Sequence, residues 1–245
     1  MHLEETTWTD AEAAETNLAL LPVGSTEQHG PHAPLGTDTL DAEAVADAAA
    51  ERYADPVVVA PAIPVGIAEE HRQFAGTLWT SEDTFRSYVR DVVDSLASHG
   101  WDRVAVVNGH GGNIAALREV TARIVRHDDA FAVPFTWFDE VGEHSSDMGH
   151  AGPLETSLLR HTNPDTVNED RLEEAAEGGS DRWGDWRGRV NLAVDSDEFT
   201  DNGVVGDPTE SSAALGEELL DRSATALCDL LDAIRDRDPE PRTTG

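Results

Sequence analysis

Short apolar runs alternate with longer amphipathic segments along most of the chain, and this alternation predicts strands and helices in turn. The predicted strands cover residues 17–23, 57–60, 103–107 and 130–136. The predicted helices cover residues 39–52, 81–99, 113–126, 153–161 and 208–235, with Ser81 as the N-cap of the second. We therefore predict a three-layer αβα sandwich with a mostly parallel central sheet.

The pattern weakens between residues 163 and 202, where residues 174–181 are expected to form a solvated loop. Trp183 and Trp186 could line a substrate pocket or a subunit contact, although packing within the loop is the favoured interpretation. We predict one domain over residues 1–235 and a disordered tail over residues 236–245.

The charge balance is strongly acidic. The 245 residues carry 49 acidic and 17 basic side chains, a formal charge of -32, and every basic residue is arginine. Self-repulsion of this size is tolerable at molar salt, where the Debye length is about 3 Å. The composition therefore predicts adaptation to high salt and a halophilic source.

Composition also excludes several classes of function. No basic stripe is present to neutralise phosphates, so we expect no nucleic-acid partner. No apolar run is long enough to span a membrane, and the N-terminus lacks a secretory signal, so a cytoplasmic location is expected. Cys228 is the single cysteine, which excludes intrachain disulfides, and it is predicted to pack as a small apolar residue.

The most informative segment follows the first predicted strand. Within a dozen residues it carries two carboxylates and two imidazoles that could ligate a metal, Glu27, His29, His32 and Asp38. Glycines and prolines between them allow a loop that aims oxygen and nitrogen donors at one point. This mixture of ligands suits zinc, manganese or iron(II).

Two further segments carry similar chemistry. His110 leaves the end of the predicted strand 103–107 through a glycine-rich turn that opens a helix. His150 precedes another predicted helix, and Glu155 falls in the first turns of that helix. Each feature alone is weak, but three loops that each bring histidine with a carboxylate or glycine are what a metal centre requires.

Taken together, these motifs resemble the creatininase family of metal-dependent amidohydrolases over residues 19–231. The resemblance rests on ordered blocks at residues 24–32 with Asp38, at residues 70–71 with 74–77, at 108–113, at 150–157 and, more weakly, at 203–208. It implies a creatininase-like fold and a homo-oligomer, with a hexamer as the assembly common in the family.

The resemblance also implies a pair of divalent ions, zinc, iron(II) or manganese. Glu27, Asp38 and His110 match the ligands of one ion. His29 and Asp38 match ligands of the other, so that Asp38 would bridge the two.

This chain departs from the creatinine-cleaving members at one ligand. They carry an aromatic residue and a metal-binding glutamate where this chain has Gly111 and Gly112. Glu155 is our candidate for the missing ligand, and we count it with His150 as a catalytic residue. His150 matches the histidine that transfers a proton in the family.

The chemistry expected is hydrolysis of a small-molecule or short-peptide amide by a metal-activated water. The missing aromatic and glutamate disfavour creatinine. We predict deformylation of a formylamino-pyrimidine nucleotide of flavin and deazaflavin biosynthesis. The alternatives are a mycofactocin-type precursor peptidase and a creatininase. The residues in the blocks 27–32 and 74–77 are more similar to those of the peptidase branch.

Two other classes of function have less support in the sequence. A serine esterase would need a nucleophile elbow, which the sequence lacks. A non-catalytic, metal-stabilised assembly subunit would not need the full set of candidate ligands. Outside that set, His32 is expected to orient a ligand, while Glu70 and His71 either shape the pocket rim or serve the fold alone.

The charge generates a first prediction. Without a stabilising ligand, the purified protein should unfold or lose activity when sodium chloride is lowered from molar to about 0.1 M, because the Debye length then grows to about 10 Å. Circular dichroism and activity across a salt series would measure this. Full structure and activity in low-salt buffer would contradict it.

Overall fold

Four parallel strands form the central sheet of the computed structural model, which describes residues 1–237. In chain order they are β1 (Leu18–Val23), β2 (Val58–Val59), β3 (Arg103–Asn108) and β4 (Phe131–Thr136). Their order across the sheet is β2-β1-β3-β4, so β1 and β3 lie inside it. Both interior strands are buried at every residue, as expected for parallel strands covered on both faces.

Helices cover both faces of this sheet. They are α1 (Trp8–Glu12), α2 (Thr37–Arg52), α3 (Glu82–Ser98), α4 (Ile114–His127), α5 (Pro153–Thr162), α6 (Leu172–Glu177) and α7 (Ala213–Arg235). Leu18 and Leu20 of β1 share one core with α2, α5 and α7, whereas Ala19 and Leu21 share another with α3 and α4. Because successive side chains of a strand point to opposite faces of the sheet, each face has its own hydrophobic core. The predicted αβα sandwich is confirmed.

Helix α2 begins two residues earlier than predicted, at Thr37 rather than at residue 39. Asp38 therefore lies in the first turn of a helix and not in the preceding loop. The partial positive charge of a helix N-terminus favours a carboxylate at this position.

The last helix begins later than predicted. The segment from residue 208 does not continue into it, because Pro208–Glu210 forms a separate 3-10 turn capped by Asp207. Ser212 then accepts a hydrogen bond from the backbone of Leu215, and α7 starts at Ala213. A proline and two capping side chains explain the break.

The segment 163–202 contains more structure than its sequence pattern predicted. Helix α6 occupies part of the expected solvated loop and buries Leu172 and Ala175, so that prediction was wrong for residues 174–177. A short hairpin follows, made of β5 (Trp186–Arg187) and β6 (Val190–Asn191). A six-residue helix buries too few side chains to leave a clear periodic pattern.

Residues 238–245 are outside the described part of the chain, and most of the predicted disordered tail falls there. Within residues 1–237, no helix combines the length and the apolar composition needed to cross a membrane. Cys228 is partly buried in α7, with its sulfur 3.6 Å from the carbonyl oxygen of Ala49.

The start of α2 lies against the end of β3 with no room for a side chain. Val23 and Asn108 are paired at the ends of β1 and β3, and Gly109 continues the pairing with a hydrogen bond from its N–H to the Val23 carbonyl. A Cβ atom on Gly109 would lie 2.0 Å from the carbonyl oxygen of Asp38. Glycine at this position is therefore what allows Asp38 to approach the sheet edge.

This contact generates a second prediction. Gly109→Ala should lower the free energy of unfolding by about 1–3 kcal/mol, because the methyl group must displace the first turn of α2. Denaturant unfolding in molar salt would measure the loss. Gly111→Ala is the matched control, since no atom lies within 4 Å of a Cβ built there. Equal stability of the two variants would contradict the prediction.

Candidate metal centre

The three predicted loops meet at the edge of the sheet where its parallel strands end. The loop after β1 carries Glu27 and His29, α2 adds Asp38, and the turn after β3 adds His110. His150 and Glu155 come from the start of α5 and the residues before it. All six residues are at least 94% buried. The position fits the rule that open α/β sheets place ligand sites beyond the carboxyl ends of their strands.

Glu27, Asp38 and His110 form one group of possible ligands. His110 Nδ1 lies 3.2 Å from Glu27 Oε1 and 3.4 Å from Asp38 Oδ2. One donor atom from each of the three residues can be chosen so that all lie within 4.8 Å of one another. Two carboxylates and an imidazole at these separations could hold a divalent ion.

A second group lies directly beside the first. It comprises His29, His150 and Glu155, whose donor atoms also lie within 4.8 Å of one another. His29 Nε2 is 3.8 Å from Glu155 Oε1 and 3.1 Å from Asp38 Oδ1. Asp38 thus turns one oxygen toward His110 and the other toward His29, which is the arrangement of a bridging carboxylate.

Backbone carbonyls fix which nitrogen of each imidazole faces the centre. His110 Nε2 lies 2.6 Å from the carbonyl oxygen of Ile67, and His29 Nδ1 lies 3.2 Å from that of Glu27. A carbonyl oxygen can only accept, so these nitrogens carry the proton. The opposite nitrogens, His110 Nδ1 and His29 Nε2, face the carboxylates, where they would present lone pairs to a bound ion once that ion takes the place of their protons.

Hydrogen bonds hold both the backbone and the ring of His150. It exchanges two hydrogen bonds with Val205, at 3.0 and 2.8 Å. Its Nε2 donates to the carbonyl oxygen of Gln28 at 2.7 Å, which leaves Nδ1 facing Glu27 Oε1 at 3.6 Å. Burial and the nearby His29 lower the pKa of His150 to about 4. The ring is therefore uncharged at neutral pH and can accept a proton.

Glu155 is divided between two partners. The backbone N–H of Ala151 donates to its Oε2 at 2.6 Å, and Oε1 is left toward His29. Burial raises the pKa of Glu155, but the proximity of His29 and the hydrogen bond from the Ala151 N–H bring that pKa below its ordinary value. The carboxylate therefore stays ionised beside the second group.

The centre holds buried polar atoms that no protein group satisfies. Both carboxylate oxygens of Glu27, Oδ2 of Asp38 and Nε2 of His29 are buried without a hydrogen-bond partner. Burial and the charge of Glu27 raise the pKa of Asp38 to about 7. Buried polar atoms without partners cost free energy, and a cation among these would satisfy them together. The residues present therefore fit a metal ion.

Gly112 cannot be replaced by a larger residue in this geometry. A Cβ at Gly112 would lie 2.3 Å from the carbonyl oxygen of Ile67 and 2.5 Å from His110 Nε2. The same Cβ would be 3.2 Å from Glu70 Oε1. A side chain here would therefore disturb the hydrogen bond that orients His110, whereas Gly111 faces open space.

Two residues of the centre were underrated from the sequence. His71 is only 1% exposed, and its ring stacks on that of His150 with centroids 4.4 Å apart. Trp183 packs edge-on against both imidazoles, so its favoured assignment to loop packing alone was wrong. The adjacent pair Glu70-His71 was the available signal for the first, and for Trp183 it was the presence of two tryptophans, 183 and 186, in a polar segment.

His32 lies apart from the two groups. Its Nε2 is 2.9 Å from the hydroxyl of Thr156, at the start of α5. Burial and the nearby His29 lower the pKa of His32 to about 4, so the ring is neutral. Its expected role in orienting a metal ligand stays a prediction.

A cavity of about 660 Å³ opens from the centre to the surface. His71, His110 and His150 lie at its base, and Phe138, Met148 and Trp183 supply apolar walls. Its other charged lining residues are four carboxylates and one guanidinium, Glu70, Asp147, Glu155, Asp181 and Arg182. The cavity is therefore acidic apart from a single arginine.

Comparisons with known proteins match most of the chain. The Creatininase family model, described as creatinine amidohydrolase, matches residues 4–231. A mycofactocin precursor peptide peptidase of Mycolicibacterium smegmatis is 37% identical over 208 residues, which are 82% of this chain and 79% of that protein.

Solved structures share the fold. A putative creatinine amidohydrolase from Bacteroides fragilis superposes with a TM-score of 0.82 at 25% identity and 97% coverage of both chains. A creatininase described with manganese superposes with a TM-score of 0.77 at 25% identity, over 96% of this chain and 99% of that one.

Proposed function

The chain belongs to the creatininase family, and its relatives include proteins named as a peptidase and an amidohydrolase. We propose that it is a metal-dependent hydrolase that cleaves an amide bond of a peptide. The observation that carries the proposal is the pair of adjoining donor groups at the base of an open cavity. Their imidazoles and carboxylates are the ligands that zinc, manganese and iron(II) take in hydrolases.

We assign the ligands from the donor atoms that face each other. Glu27, Asp38 and His110 would hold the first ion, and His29, Asp38 and Glu155 would hold the second. Asp38 would serve both ions, since its two oxygens face different imidazoles. Glu155 thereby replaces the glutamate that the creatinine-cleaving members carry at the position of Gly112.

When bound, the divalent ions supply Lewis acidity and lower the pKa of water towards about 7. The remaining steps belong to the protein. His150 is neutral, and its Nδ1 faces the cavity beside Glu27, where it can take up a proton from the attacking water. The same nitrogen can then protonate the departing amine, which is otherwise a poor leaving group. Trp183 and Phe138 shield these proton transfers from bulk water.

The charge of the cavity supports a peptide over a nucleotide. Four carboxylates and one guanidinium line it, and a substrate phosphate would meet repulsion from Asp147 and Asp181 at the wall. The similarity to the mycofactocin precursor peptide peptidase points the same way. We therefore place the peptide above the formylamino-pyrimidine nucleotide, which stays the second candidate on the resemblance alone.

Activity assays on the metal-loaded protein in molar salt test this proposal. Short peptides, creatinine and the formylamino-pyrimidine nucleotide would be incubated with Mn(II), Fe(II) or Zn(II), and released amine or formate would be quantified. We expect turnover of peptides. Turnover of the nucleotide alone would move the assignment to deformylation, and full metal loading without turnover of any amide would favour an assembly subunit.

A third prediction concerns His150. His150→Ala should keep its metal content and lose about 10²- to 10⁴-fold in kcat, because it removes the proton carrier and no assigned ligand. Metal analysis and steady-state kinetics on the same preparation would measure both. His99→Ala, at an exposed position remote from the centre, is the control. Loss of metal from His150→Ala would overturn the role.

A fourth prediction concerns Glu155. Glu155→Gln should reduce the metal content from two ions per chain to one, because the amide is a much poorer ligand than the carboxylate. Inductively coupled plasma mass spectrometry after gel filtration would give the stoichiometry. Glu217→Gln, on the exposed side of α7, removes the same charge away from the centre and should keep both ions. Two ions in Glu155→Gln would exclude Glu155 as the replacement ligand.

A further inference from the structure

We propose that His71 presents a protonated Nε2 to the active-site cavity and donates a hydrogen bond to the oxygen of the scissile amide. The role toward the substrate oxygen rests on the proposed function. The position of the proton on the His71 ring does not depend on it. By distance His71 could equally be a ligand, since its donor atom lies within 4.8 Å of those of Glu27 and His150. The hydrogen bonds around the ring decide between these roles.

The argument starts at Gln28, whose amide orientation is fixed. The backbone N–H of Gly30 donates to Gln28 Oε1 at 2.9 Å, and Gln28 Nε2 donates to the carbonyl oxygen of Gly203 at 3.1 Å. Rotating the amide by half a turn would place an N–H against an N–H and two oxygens against each other. The Gln28 NH₂ group therefore faces Gly203 and cannot be an acceptor.

Glycine at position 203 makes this arrangement possible. Gly203 has a φ of 87°, a left-handed conformation that favours glycine. A Cβ atom there would lie 2.0 Å from Gln28 Oε1. The backbone thus closes directly over the amide and holds it in place.

The second N–H of Gln28 Nε2 is directed at His71 Nδ1, 2.9 Å away. Nδ1 must accept this bond, so it carries a lone pair and no proton. The hydroxyl of Ser196 lies 2.9 Å from the same nitrogen and 3.0 Å from the carbonyl oxygen of Glu70, to which it donates. A proton on Nδ1 could reach Ser196 only by crowding the N–H of Gln28.

A neutral imidazole with a bare Nδ1 has its proton on Nε2. His71 Nε2 lies 3.5 Å from Glu27 Oε1, and His71 lines the cavity beside His150. A protonated nitrogen has no lone pair for a metal, so His71 stands outside the ligand set despite its position. We place the oxygen of an amide bound next to Glu27 and His150 within reach of this N–H, at the base of the cavity.

A hydrogen-bond donor at this position would raise kcat and would change substrate binding little. Negative charge develops on the amide oxygen as water adds, and an N–H already aimed at it stabilises that charge without rearrangement. Stacking on His150, with ring planes 21° apart, fixes the direction of the N–H. Removal of one such donor typically costs about 10²- to 10³-fold in kcat.

Two variants of the full-length, metal-loaded enzyme test the role. His71→Phe keeps a ring that can stack but has no donor, and His71→Gln keeps a carbonyl to accept from Gln28 and an N–H to face the cavity. We expect His71→Phe to lose about 10²- to 10³-fold in kcat with KM within a few fold, and His71→Gln to regain much of that loss. Both should retain the wild-type metal content. Metal loss in His71→Phe would make His71 a ligand, and unchanged kcat would remove it from catalysis.

The tautomer can be read without any turnover. Long-range ¹H–¹⁵N spectra of the zinc-loaded, ¹⁵N-histidine-labelled protein distinguish a protonated from a bare ring nitrogen, and the His71 signals are those that vanish in His71→Phe. A bare Nδ1 and a protonated Nε2 are expected, whereas a protonated Nδ1 would overturn the inference. Because this readout needs no substrate, it stands even if the assigned hydrolysis fails.

Discussion

Two carboxylates buried beside each other, Glu27 and Asp38, are the constraint on which the rest of the site depends. Both are essentially removed from water, and this burial together with the charge of Glu27 raises the pKa of Asp38 to about 7. Such a pair is stable only where positive charge and hydrogen-bond donors surround it. His29 and His110 contact the pair directly, and a bound cation would satisfy the carboxylate oxygens that have no hydrogen-bond partner. The need to neutralise these two buried carboxylates thus explains why imidazoles gather at this edge of the sheet.

Close contacts between backbone segments bring these side chains together. Gly109 lets the first turn of α2 reach the end of β3, and Gly203 lets the 203–206 loop close over Gln28. Each glycine removes a side chain where two backbone segments carry donor atoms to the centre. Carbonyls of Ile67, Glu27 and Gln28 then orient one imidazole each, so the rings are fixed before any ion or substrate binds. Such preorganisation is what metal sites require of the groups behind their ligands.

The surroundings of Gly112 leave no room for a glutamate side chain. With glycine there, the Ile67 carbonyl sits close enough to bond His110, and the space that a longer side chain would need is already filled. The carboxylate that lies beside His29 in the second group is that of Glu155, with Oε1 3.8 Å from His29 Nε2. In the assignment that we propose, this carboxylate from α5 takes the ligand position, and the cavity stays open beside Gly111.

By itself the sequence determined the strands, most of the helices and the αβα class, because the apolar periodicity of buried strands and amphipathic helices is local. It also singled out Glu27, His29, Asp38, His110, His150 and Glu155, since their residue types and glycine-rich settings are local too. It misplaced the starts of α2 and α7 and overlooked α6, where caps and a few buried side chains outweigh periodicity. Only the tertiary structure decided which oxygen of Asp38 faces which imidazole, that Trp183 covers the centre, and that His71 faces it with an N–H. Those features depend on hydrogen bonds between segments up to 175 residues apart, such as that from Gln28 to Gly203, and no local pattern records them.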